Sequence, residues 1–169
     1  MIASIFSVDQ TGGVGNRGTL PWKHHPEDME WFRELTVGHV VVMGRKTWDD
    51  PKMPKPLPGR TTYVATTKPL FGYNGVKTIR GDLCEQIKKI EAENPDKIIW
   101  IIGGPQLLMD TRDITDKLHV THFKGQFKTD VQLDMRKYFL MFQATGAAPS
   151  SDRKCNWTTY KNVDIFRWK

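Results

Sequence analysis

The spacing of apolar residues changes along this chain, and each change marks a predicted element. Ile2 to Val8 reads as a strand, followed by a glycine-rich loop from Asp9 to His24. From Pro26 to Thr36 the period becomes helical. Asp28, Trp31, Phe32 and Leu35 fall at i, i+3, i+4 and i+7, and Pro26 suits the first turn. That face holds one acid among apolar side chains. His39 to Met43 is a short β-branched run that stops at Gly44, where Arg45 to Trp48 can open a second helix. Four prolines between Pro51 and Pro58 exclude regular structure, and Arg60 to Thr67 resumes as a strand. A weaker strand covers Val76 to Arg80. Asp82 with Glu85 makes a capping box for a helix whose stripe is Leu83, Gln86, Ile87 and Ile90.

Lys97 to Ile102 is nearly continuously apolar, as a parallel strand covered on both faces should be, and Gly103-Gly104-Pro105 leads from it into a helix through Leu107 and Leu108. Leu118 to Phe123 reads as a further strand, and Tyr138 to Thr145 with Trp157 to Trp168 as a closing antiparallel pair. Strands alternating with helices, then a strand-rich tail, predict an α/β fold. Its central sheet is mixed but mostly parallel, about eight strands with flanking helices and an antiparallel C-terminal hairpin. Ligands of such sheets lie beyond the carboxyl ends of the strands, which puts the junctions at Gly44 and Gly103-Gly104 on the ligand side.

Composition narrows the class. The 169 residues carry 25 Lys and Arg against 19 Asp and Glu, a net charge of +6 at pH 7, which welcomes anionic partners without choosing among nucleotides, carboxylates and nucleic acid. With 38% hydrophobic residues, six Trp, four Tyr and eight Phe, the chain is not a disordered segment, and a domain this long buries about 68 to 70% of its unfolded surface. One domain over residues 1–169 is expected. Apolar runs reach five residues, as in Ile98 to Ile102, against the roughly 18 to 20 that span a bilayer, so no membrane partner is expected. The amino terminus has neither a basic leader nor a signal-peptide core, and two isolated cysteines, Cys84 and Cys155, make no disulfide framework or thiolate metal site. A cytoplasmic protein is expected.

Gly13, Gly15 and Gly18 match GxGxxG, but Thr19-Leu20-Pro21-Trp22 follows where a Rossmann turn needs a helix, so the segment reads as a mobile covering loop. Gly44-Arg45-Lys46-Thr47 places backbone N–H groups beside two cations and a hydroxyl. It is either a phosphate holder or a helix start with solvated charges. Gly103-Gly104 permits close backbone approach to a ligand, or makes a tight turn. Asp28 on its apolar face must be paired or shifted, which makes it a candidate for proton chemistry, or else it complements the helix dipole. Arg60 can clamp a carboxylate bidentately or sit in solvent. His119 and His122, three apart in a strand, point to opposite faces and cannot chelate one ion; no metal is expected.

Taken together, these motifs resemble those of the dihydrofolate reductases, of a bacterial or phage type. The resemblance runs through Val14-Gly15, Leu20-Pro21-Trp22, Asp28 with Trp31-Phe32, Val42 to Trp48, Pro56 to Arg60, Ile102 to Gly104 and Val120-Thr121-His122. It implies reduction of 7,8-dihydrofolate to tetrahydrofolate by hydride transfer from NADPH, in support of one-carbon metabolism and thymidylate synthesis. By the same resemblance Asp28, Trp22 and Thr121 are catalytic. Ala3, Met29, Phe32, Leu57 and Arg60 join Asp28 and Thr121 around the substrate, with Arg60 on its glutamate carboxylate. Ile5, Ile102 and the loop residues Gly13, Val14, Gly15, Asn16, Gly18 and Thr19 surround the nicotinamide. Lys46, Thr47, Gly103, Gly104, Pro105 and Gln106 hold the pyrophosphate, helped by Gly44, Arg45 and Leu107, and Thr66, Thr67 and Arg80 lie near the adenosine 2′-phosphate. The loop from Gln10 to His24 resembles the family's lid.

The chain departs from the common pattern in three places. Lys23 to Pro26 is one residue longer, Asp49 to Lys55 about two longer, and Leu108 stands where many relatives have a tyrosine. Two alternatives remain at this point: a pyrimidine reductase acting on a ribose phosphate, which Asp28 and Arg60 argue against, and a basic nucleic-acid module, which the scattered charges and core aromatics argue against. A monomer without nucleic-acid partners is expected.

Overall fold

The computed structural model describes residues 1–164. In chain order it runs β1 (Ile2–Val8), β2 (Gly13–Gly15), α1 (Pro26–Thr36), β3 (Val40–Gly44), α2 (Arg45–Trp48), β4 (Thr61–Ala65), β5 (Val76–Ile79), α3 (Leu83–Glu93), β6 (Ile99–Ile101) and α4 (Pro105–Asp110). After a short 3-10 turn come β7 (Lys117–Phe123), β8 (Val131–Gln132), α5 (Met135–Phe139), β9 (Phe142–Pro149) and β10 (Cys155–Asn162). The main sheet has eight strands in the order β5-β4-β3-β6-β1-β7-β10-β9. Its first six run parallel, and β10 is antiparallel to both β7 and β9.

Each face of this sheet is covered, which is why its central strands are apolar at every position rather than at alternate ones. Ile2, Val40, Val42, Ile99, Ile101, Leu118 and Val120 pack on one side with Ile87 and Ile90 of α3, Leu107 and Leu108 of α4 and Tyr138 of α5. Ala3, Ile5, Val41, Met43, Val64 and Trp100 pack on the other with Trp48 and with Trp31, Phe32 and Leu35 of α1. Burying a side chain of this size contributes about 1.5–3 kcal/mol. Because the six strands run in one direction, their carboxyl ends share an edge. The segments after β1, β3, β4 and β6 are gathered there.

Helix α1 begins and ends where the sequence places it. His25 caps its first turn by accepting from the Asp28 amide at 3.1 Å, and Pro26 occupies the first helical turn. Asp82 likewise caps α3, accepting from Glu85 N at 3.0 Å.

The C-terminal region differs from expectation. Tyr138 was expected to open a strand, but it lies in α5, whose cap Asp134 accepts from Lys137 N at 3.1 Å. The apolar run from Tyr138 to Phe142 serves both a helix end and a strand start, so periodicity alone could not divide it. The closing hairpin therefore pairs Phe142–Pro149 with Cys155–Asn162, and Trp168 lies outside the described residues. The loop read across Asp9 to His24 also contains β2, which pairs with β8 in a separate two-stranded sheet.

Candidate active site

Asp28 sits in the first turn of α1 with 2% of its surface exposed. An acid so enclosed needs donors, and two reach the same oxygen. The Thr121 hydroxyl donates to Oδ1 at 2.7 Å, and the Trp157 indole N–H donates to it at 3.0 Å. Thr121 on β7 and Trp157 on β10 are directly paired across the antiparallel ladder, so both point to the face that α1 covers. Thr121 was expected beside Asp28. Trp157 was not, since nothing local separates a core tryptophan from one whose N–H meets a carboxylate 129 residues away.

Trp22 lies close by in a separate aromatic cluster. Its ring stacks on Phe123 at 4.4 Å and meets Phe127 edge-on, with buried Cys155 and half-buried Trp157 alongside. Its indole nitrogen is enclosed and has no hydrogen-bond partner among the described residues.

Ala3, Ile5 and Leu57 are buried in the cluster under α1, with Phe32 and Ile102 half-buried against it, while Met29 is exposed at the rim. Arg60 follows Pro58-Gly59 and is drawn inward. Nε donates to Pro58 O at 2.9 Å, Nη1 donates to Thr36 Oγ1 at 3.1 Å, and the guanidinium lies 5.9 Å from the centre of the Phe32 ring. Burial, and then the neighbouring Arg33, lower its pKa from the usual value. Among the described residues no acid pairs with it, and a cation held this way suits an anionic partner.

Adjacent strands β3 and β6 bring the two glycine junctions together. Gly44 N donates to Gly103 O at 2.7 Å, and a Cβ on Gly44 would stand 3.4 Å from Gly104 N. The Gly103-Gly104 peptide is cis, and Gly103 has φ +115°, a conformation that glycine alone adopts readily. Thr47 Oγ1 lies within 3.8 Å of where a Cβ on either glycine would sit, so the hydroxyl faces the turn. Beside them a cavity of about 430 Å³ is lined by Arg45, Thr66, Thr67 and Arg80, all expected from the sequence, and by Lys68, which was not. Arg45 also pairs with Asp49 at 3.1 Å. The collection of cations and hydroxyls fits a phosphate.

The loop that resembles the family's lid is held by a small sheet in which β2 pairs with β8. Asn16 and Thr19 bridge across a tight turn with Arg17 at φ 50° and Gly18 at φ +79°. Asp130 fastens it, accepting from Arg17 N at 3.0 Å and donating its amide to Gly15 O at 3.0 Å. Asp9 does the same from inside. It is 1% exposed and accepts from the Thr11 amide and hydroxyl, both at 2.8 Å, from Gly13 N at 2.9 Å and from Phe127 N at 3.1 Å. Burial pushes its pKa up, but these bonds together outweigh burial and leave it lowered. Asp9 and Asp130 carry no motif in the sequence; an acid flanking a glycine run was the available signal.

Some expected residues stand apart. Gln106 donates to Asp110 Oδ1 at 2.7 Å on the exposed side of α4 rather than facing the glycine turn, and Lys46 is exposed without a described partner. Leu107 and Leu108 turn their side chains into the core on the far face of the sheet, where Val14 also packs.

Residues 1–163 match the family described as dihydrofolate reductase. The dihydrofolate reductase of Mycobacterium leprae is 41% identical over 108 residues, which are 63% of this chain and 62% of that protein, so the match spans less than two thirds of that relative. That of Bacillus subtilis is 32% identical over 135 residues, 77% of this chain and 73% of the relative. A solved structure of dihydrofolate reductase from Enterococcus faecalis complexed with NADP(H) and RAB-propyl has a TM-score of 0.79 at 26% identity and covers 97% of both chains. With the family matched over nearly the full length and the fold shared from end to end, the chain belongs to the dihydrofolate reductase family.

Proposed function

We propose that this protein reduces 7,8-dihydrofolate to tetrahydrofolate at the expense of NADPH. The observation that carries the reading is the enclosed carboxylate of Asp28, held on one oxygen by Thr121 and Trp157 beneath half-buried Phe32 and buried Leu57. An anionic acceptor among apolar walls suits a flat heterocycle that offers adjacent N–H donors. Oδ2 takes those donors, and the carboxylate's negative charge favours the proton that arrives from solvent at N5. Arg60, beside the Phe32 ring, meets the carboxylate of the substrate's glutamate tail.

When bound, the reduced nicotinamide supplies the hydride to C6. The chain's own residues supply its place. Gly103 and Gly104 let the dinucleotide approach the backbone, Thr47 faces it, and Arg45, Thr66 and Arg80 line a cavity suited to the extra phosphate that marks NADPH. The loop from Gly13 to Thr19, fastened by Asp9 and Asp130, excludes water from the reacting rings. Trp22 closes the site at the loop's end.

The assay is loss of NADPH absorbance on adding dihydrofolate to the purified chain. Turnover with dihydrofolate and none with a pyrimidine ribose phosphate is expected; the reverse would assign the other reductase reaction. We place the enzyme in the cytoplasm as a single-domain monomer, in keeping with two unpaired cysteines. Among the described residues no helix is long and apolar enough to cross a membrane.

A further inference from the structure

We propose that Trp157 is a positioning residue for Asp28, one that together with Thr121 occupies Oδ1 and so commits the carboxylate to grip its heterocycle through Oδ2. The inference rests on the dihydrofolate reading of this site. A carboxylate oxygen offers two acceptor positions, and Oδ1 fills both, with Thr121 at 2.7 Å and Trp157 at 3.0 Å. Oδ2 accepts no hydrogen bond from the described residues, both donors being on Oδ1. Its two positions are the ones left for a ligand's ring N–H and amino group.

The donor is itself fixed. The Trp157 ring lies 5.7 Å from that of Trp31, inclined by 30°, and packs on the cluster of Trp22, Phe123 and Cys155. Trp31 follows Asp28 by three residues on the same helix, so acid and donor are tied together through α1 as well as through the sheet. The terminal torsion of an aspartate is broad. One donor lets the carboxylate swing, whereas two on one oxygen, each mounted on a neighbouring strand, set its plane before the ligand arrives. Such preorganisation spares a ligand the ordering of its own acceptor.

Trp157→Phe keeps an aromatic ring and removes the N–H. The KM for dihydrofolate is expected to rise roughly tenfold, the loss of one hydrogen bond to a charged group, while the KM for NADPH stays within about twofold. An unchanged or lower dihydrofolate KM overturns the proposal. A second measurement needs no turnover: the indole Nε1–H resonance of Trp157 in ¹⁵N-labelled protein, assigned by its absence in Trp157→Phe, or in Trp157→Tyr where the first variant does not fold. It is expected to shift in Asp28→Asn, and a resonance indifferent to that substitution overturns the proposal even in an active enzyme. A resonance that shifts in a chain unable to oxidise NADPH with dihydrofolate supports the Trp157 contact and sinks the reaction instead.

Discussion

Asp28 and Arg60, the two side chains proposed to hold the substrate, can each be replaced without unpacking the core. Asp28→Asn retains a carbonyl oxygen able to accept from Thr121 and Trp157, so the fold should stand. What it loses is the charge. Turnover is expected to fall about 10²- to 10⁴-fold at neutral and higher pH, with the smallest deficit in acid where the substrate arrives protonated; steady-state rates across pH check it, and wild-type turnover at pH 7 would remove Asp28 from the chemistry. Arg60→Leu should raise the dihydrofolate KM about tenfold or more and leave the NADPH KM near its original value, which separate titrations of the two substrates would show. The acid and this arginine stand out as candidates in the sequence because helical spacing and a Pro-Gly turn are local signals, whereas Thr121 entered only through the family resemblance. Trp157 had neither signal. Its role depends on the register between β7 and β10, which no short window of sequence carries.

The loop carrying β2 is an element whose stability comes from outside itself. Strand β2 has three residues and β8 two, too few for a ladder to stand alone, so the clasp at Asp9 decides whether they pair. Asp9→Ala leaves the amides of Thr11, Gly13 and Phe127 without their acceptor. A loss of about 2 to 4 kcal/mol in unfolding free energy is expected, with hydrogen exchange accelerated first at Gly13 and Phe127. Gly13→Ala attacks the same place by size. Its Cβ would stand 2.4 Å from Thr129 Cγ2 and 2.8 Å from Asp9 Oδ2, and about 1 to 3 kcal/mol of destabilisation should be measured by denaturant titration. Gly13 and Gly15 thus allow close approach between two segments, while Gly18 serves the turn through its positive φ. Helix α1 has a cap, a proline and a full apolar stripe, whereas β2 is a three-residue Gly-Val-Gly segment too short to show alternation and α5 shares its apolar run with the next strand. The parallel core could be read because strands buried on two faces cannot hide their composition.

Across the whole molecule, protons couple to folding through two histidines on opposite faces of β7. His119 packs between Trp31 and Trp100, and its pKa is lowered by burial and then by Lys117; His122 bonds the Tyr160 hydroxyl at 2.8 Å, and burial lowers its pKa too. In both, the unfolded chain takes up a proton at a higher pH than the folded one. The unfolded state therefore binds more protons as pH falls below about 6.5, and the stabilisation present above that value is lost on the way down to the folded pKa. A second loss follows in stronger acid. Asp9 is held below 3.8, and Asp152 is held at about 2 by the Lys154 amide, the Ser150 hydroxyl and His25, so protonating them also favours unfolding. With a net charge of +6 before any histidine is charged, added protons raise the molecule's overall positive charge and its self-repulsion. The midpoint of thermal unfolding should hold between pH 8 and 7, decline from pH 7 to 5, and drop again below pH 4. A variant carrying both His119→Asn and His122→Asn should start lower at pH 7, having lost the Tyr160 contact and some packing, yet show little slope between pH 7 and 5 while keeping the drop below pH 4. A midpoint that stays level from pH 8 to 5 in the unsubstituted protein would show that the two imidazoles titrate alike in the folded and unfolded chain, against the burial that the sheet imposes on them.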